Sequence, residues 1–143
     1  MSAVGGDHSV LLRSDGRVVA FGANYVGQCE IPEPDPGVFY DQVAVGLYHT
    51  VLLRSDGRVA ACGENDCGQC DIPPLPPGRR YCQVAGGRYH TVLLRTDGRV
   101  LVCGANNRGQ CEVPEPEPGV TYVQVSAGAA HTVLLRSDGR AVA

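Results

Sequence analysis

The feature that most constrains this chain is a 41-residue period. The four histidines fall at His8, His49, His90 and His131. The Asp-Gly-Arg triplets beginning at Asp15, Asp56, Asp97 and Asp138 keep the same step, as do the Gly-Gln-Cys triplets ending at Cys29, Cys70 and Cys111. Residues 43–83 laid over 84–124 are identical at 25 of 41 positions without a gap. Such a chain must build one local unit several times and bury its apolar surface by stacking the copies. The repeats run over 2–42, 43–83 and 84–124, with a fourth begun at 125–143.

Within a unit the pattern is β throughout. His90-Thr91-Val92-Leu93-Leu94-Arg95 is a run of apolar and β-branched residues, and Arg99-Val100-Leu101-Val102-Cys103-Gly104 returns after Thr96-Asp97-Gly98. The glycine in that turn takes the positive φ a tight hairpin needs. Ala105-Asn106-Asn107-Arg108-Gly109-Gln110 reads as a loop. Cys111-Glu112-Val113 is an outer edge strand or a crossing loop, because Pro114, Pro116 and Pro118 block a central strand. No window carries a helical period. Three or four short strands per unit, stacked face to face, predict an all-β propeller, here about three and a half blades.

Composition excludes several function classes. A net charge of −3 offers no global attraction to nucleic acid or an anionic membrane. No apolar run is long enough for a spanning helix, and the N-terminus lacks the pattern of a secretory signal. The seven cysteines are odd in number and recur at repeat-equivalent sites, which points to reduced thiols and an intracellular protein, cytoplasmic or nuclear. Cys67-x-x-Cys70 has no second pair and is not repeated, so neither a zinc nor a redox site is expected. The histidines recur in one environment and are read as bonding backbone in a turn. No nucleophile or base stands beside just one of them, so neither catalytic residues nor a cofactor is expected.

The run Gln-Val-Ala-x-Gly-x-x-His-Thr-Val-Leu-Leu-Arg-x-Asp-Gly-Arg-Val-x-x-Cys-Gly-x-Asn-x-x-Gly-Gln, at 42–69 and 83–110, resembles the repeat of the regulator of chromosome condensation family. The short period is similar to the compact repeats of a bacterial β-lactamase-inhibiting propeller. The resemblance implies a seven-bladed ring, which needs about twice the residues present here. The chain is therefore expected to be a fragment, with self-association through its open blade edges as the other way to complete a ring. The resemblance also implies a non-enzymatic scaffold that binds a protein partner, with two alternatives: a guanine-nucleotide exchange factor for a small GTPase, or the substrate-recognition part of a larger ubiquitin ligase.

Positions that differ between units are where a partner is to be sought, since shared positions serve every blade alike. Those before the histidines include Leu47, Tyr48, Arg88 and Tyr89. Those in the Asn-x-x-Gly loops include Tyr25 and Arg108, and Arg79-Arg80 replaces Val38-Phe39 and Val120-Thr121 in the connector. Tyr25, Tyr48, Arg88, Tyr89 and Arg108 have the aromatic and arginine character of interface anchors, and with Leu47, Arg79 and Arg80 they form the candidate partner-binding set.

Overall fold

A computed structural model describes residues 2–143. Twelve strands fall into four three-stranded antiparallel sheets, each a simple meander. The first holds β1 (Ser2–Val4), β2 (His8–Leu12) and β3 (Val18–Gly22), and the second β4 (Tyr40–Val45), β5 (His49–Arg54) and β6 (Val59–Gly63). The third holds β7 (Tyr81–Gly86), β8 (His90–Arg95) and β9 (Val100–Gly104), and the fourth β10 (Tyr122–Ala127), β11 (Thr132–Arg136) and β12 (Ala141–Val142). There is no helix among the described residues, hence none long and apolar enough to cross a membrane.

Each hairpin turn is set by its Asp-Gly pair. Gly57 has φ of 81°, its N–H donates to the Arg54 carbonyl at 3.0 Å, and the Asp56 carboxylate accepts the Arg58 N–H at 3.1 Å. The connectors contain no strand. Their prolines remove backbone donors, so Cys111-Glu112-Val113 and its counterparts are crossing loops, and each sheet stops at three strands. A tyrosine anchors each connector: the hydroxyls of Tyr40, Tyr81 and Tyr122 donate to the carbonyls of Pro32, Pro73 and Pro114 at 2.6, 2.8 and 2.6 Å.

The sheets stack as blades of an open arc, and the core lies between them. Along β5 successive side chains face opposite neighbours. Leu52 packs with Val10, Tyr40 and Val43, whereas Val51 and Leu53 pack with Tyr81 and Leu93. The register of β4 on β5 shifts between Tyr40 and Gln42, a bulge that turns Tyr40 and Val43 to one side despite their odd spacing. Both faces of the middle sheets are covered, which explains strands apolar at nearly every residue.

The first sheet has only one covered face. Val4, Leu11, Val19 and Phe21 are exposed; their counterparts Val45, Leu52 and Ala60 in the second sheet pack against the sheet before them.

Candidate functional site

Chain direction assigns every loop to one of two ends. In each unit the first turn (residues 46–48 in the second) and the segment after the third strand (from Glu64) lie at the histidine end, because His49 pairs with Gly63 across β5 and β6. The Asp-Gly turns lie at the other end, and the connectors run from the first to the second. Tyr81 N–H donates to Gly57 O at 2.8 Å where a connector arrives.

A buried hydrogen-bond frame supports the histidine end. The Nε2 atoms of His8, His49 and His90 lie 3.0, 3.0 and 3.1 Å from the Oγ1 atoms of Thr50, Thr91 and Thr132 in the following blade. Each threonine hydroxyl donates to a main-chain carbonyl of the preceding blade, that of Gln28, Gln69 or Gln110, at 2.7, 2.7 and 2.8 Å. With the threonine proton committed, the histidine Nε2 must donate, which selects the neutral tautomer. The histidines therefore bridge blades through a threonine hydroxyl, where a backbone bond within a turn is the expectation from sequence. A single sequence cannot tell a side-chain partner 42 residues away from a local one.

Burial lowers the pKa of His49 to about 4, helped by the charges of His90 and His8. It also raises the thiols of Cys62 and Cys103 to about 12 and that of Cys70 to about 11, which holds them protonated and poorly nucleophilic. All seven cysteines are free, and no cluster of His, Cys, Asp or Glu suited to a metal ion exists among the described residues.

On this frame stand six of the eight candidate residues. The Tyr25 ring meets Tyr48 of the next blade edge-on, with centroids 5.6 Å apart and planes at 63°. Tyr25 is 64% exposed, and its hydroxyl donates to the Asp7 carboxylate at 3.4 Å. Arg88 lies over the Tyr89 ring, 5.4 Å from its centroid. Main-chain bonds join the first turns of successive blades, Leu47 N–H to Arg88 O and Arg88 N–H to Ala129 O, both at 3.2 Å. Leu47 and Tyr48 are half-buried and Arg108 is exposed in the third Asn-x-x-Gly loop. That loop is tied by Asn106, whose side-chain oxygen accepts the Cys111 N–H at 2.9 Å.

The other two candidates are elsewhere. Arg79 and Arg80 lie at the Asp-Gly end, Arg80 donating to Ser55 O at 2.7 Å and Arg79 standing 3.5 Å from Asp97. The eight residues therefore divide between two faces. Asp7 is the residue that reasoning from sequence left out. It occupies one of the variable positions before a histidine, so the signal was present, but its pairing with Tyr25 depends on the third strand returning the chain to that loop.

A family profile described as the regulator of chromosome condensation repeat matches residues 3–28, 40–69 and 81–110, more than half of the chain. No curated protein sequence matches. Among solved structures, Prp20p from Saccharomyces cerevisiae, described with its binding to Gsp1p and histones, is 21% identical with a TM-score of 0.82 over 99% of this chain and 44% of that one. Human WBSCR16 is 21% identical with a TM-score of 0.84 over 98% of this chain and 46% of that one. The ectodomain of the Arabidopsis thaliana receptor kinase ACR4 is 18% identical with a TM-score of 0.65 over 95% and 45%. The chain thus spans less than half the length of these proteins, and at such identities the likeness speaks to fold.

Proposed function

Because this chain belongs to the regulator of chromosome condensation repeat family, we propose that it is a non-enzymatic scaffold that binds a partner protein through the loops at its histidine end. The observation that carries this reading is the contact between Tyr25 and Tyr48, which places two aromatic rings from different blades side by side on a rigid frame. Arg88 over Tyr89 extends the same surface. Aromatic and arginine side chains held by a pre-ordered backbone lose little entropy on binding and are typical of interface anchors. The test is retention of partner proteins on the immobilised chain, identified by mass spectrometry, beside a chain with Tyr25, Tyr48, Arg88 and Tyr89 replaced by alanine. An unchanged set of retained proteins sinks the reading.

A second reading is guanine-nucleotide exchange on a small GTPase. It is supported by the likeness to Prp20p, whose structure is described with its binding to Gsp1p. Accelerated release of labelled nucleotide from a panel of small GTPases would support it; an unchanged release rate counts against it.

The uncovered face of the first sheet is a second contact surface, and self-association there is the further proposal. Sedimentation at rising concentration distinguishes a single species from an assembling one. Loss of assembly when Leu11 and Phe21 become serine would locate the contact.

A further inference from the structure

The three connectors follow one path but differ in charge. Glu33 and Asp35 in the first, and Glu115 and Glu117 in the third, correspond to Pro74 and Pro76 in the second. Val38-Phe39 and Val120-Thr121 correspond to Arg79-Arg80. The middle connector has exchanged two carboxylates for two guanidinium groups.

The ion pairs register that exchange. Arg54, at the end of β5, directs Nη2 to both Asp35 and Asp56 at 2.7 Å, and its Nε donates to Asp56 at 3.1 Å. Arg136 does the same with Glu117 and Asp138, its Nε lying 3.1 Å from the latter. Arg95 is their counterpart in the middle unit, and the position that should supply its connector carboxylate is Pro76. Only Asp97 remains, and it is shared between Arg95 Nη2 and Arg79 Nε. The Nε of Arg95 is buried without a hydrogen-bond partner. One carboxylate serves two guanidinium groups where the neighbouring units provide two for one.

Arg79 of this cluster also lines a groove of about 710 Å³ between the connector and the turn at Asp56, together with Arg58, Arg80 and the Asp56 carboxylate and with aliphatic Val59, Ile72 and Leu75; Arg95 and Asp97 lie outside that lining. We infer that this groove binds a short, extended acidic peptide, whose carboxylates provide from outside the charge that Asp35 and Glu117 provide from within on either side. Guanidinium groups donate to carboxylates in bidentate pairs, and those of Arg58, Arg79 and Arg80 line the groove. A proline-walled, apolar floor suits an extended segment. A long polyanion such as nucleic acid is disfavoured, since the adjoining connectors carry Glu33, Asp35, Glu115 and Glu117 and the chain is net negative. The groove is at the end opposite the tyrosine loops, so it stands or falls apart from the reading above.

The experiment is fluorescence anisotropy of a labelled peptide Glu-Val-Pro-Glu-Pro-Glu-Pro, the sequence of residues 112–118, titrated with the full chain at low salt. Saturable binding is expected, weakened at least tenfold when the three glutamates are glutamine. The same loss is expected with R79V/R80T, which installs the residues of the third connector and so keeps a sequence this fold already accommodates. P76E, which gives Arg95 an internal carboxylate, is also expected to weaken binding. Circular dichroism establishes that each variant retains its sheets. Absence of binding, equal binding of the glutamine peptide, or equal binding by R79V/R80T overturns the inference. So does a single-stranded oligonucleotide that binds more tightly and is lost in the same variant, which would assign the groove to nucleic acid.

Discussion

His49 Nε2 lies 3.0 Å from Thr91 Oγ1, and these two side chains join the second and third blades through a bond with no exposed atoms on either residue. The threonine passes its own proton to Gln69 O at 2.7 Å. Three groups of two blades are thereby satisfied together, and the same relay recurs at each blade boundary.

Removing the middle member of that relay isolates its worth. Thr91→Val keeps shape while leaving the His49 N–H buried and unpaired and the Gln69 carbonyl with only the weak Cys103 thiol donor at 3.7 Å, at an expected cost of about 1–3 kcal/mol. Urea unfolding at neutral pH measures it. Ser9, which holds the equivalent position in the first sheet, makes no such bridge to a preceding blade among the described residues, so Ser9→Ala should be close to neutral.

Acid should loosen the stack. His49 titrates at about 4 in the folded chain against 6.5 when free, with burial the main cause; His8 and His90 are lowered in the same way. The unfolded chain then binds protons that the folded chain refuses. This histidine contribution to stability is complete above pH 6.5, falls as pH drops toward 4, and levels off below that. The contribution of His49 is on the order of 3 kcal/mol. Thermal melting from pH 7.5 to 4 tests this, and H49N should flatten the profile.

Two glycine substitutions should differ in kind. A Cβ on Gly46 would stand 2.0 Å from His49 Cε1 and 2.4 Å from the Gly87 carbonyl oxygen, so Gly46→Ala must push two blades apart and is expected to cost more than about 3 kcal/mol. Gly37→Ala meets nothing within 4 Å and carries only the strain of φ +80°, about 1–2 kcal/mol. Denaturant midpoints of the two variants give the comparison directly.

The tyrosine surface should be separable from stability. Tyr25 is largely exposed, so Tyr25→Ala is expected to change the unfolding free energy by less than about 0.5 kcal/mol. Partner retention should fall at least tenfold when Tyr48→Ala is added. Equal retention by both variants and the parent would place the partner elsewhere.

From sequence alone, the period, the all-β character, the hairpin at each Asp-Gly pair and the family resemblance were all legible. Each is written locally: a glycine turn or an alternation of side chains depends on neighbours within a few residues, and repetition multiplies the signal. The variable positions were legible too, because a repeat exposes its own exceptions. Which exceptions meet was decided only in three dimensions. Tyr25 reaches Tyr48 across a blade boundary and 23 positions of chain, whereas Arg79 and Arg80 are carried by their connector to the far end. The histidine–threonine relay was hidden for the same reason. It spans 42 residues, and a contact at that distance exists only once one blade has stacked on the next.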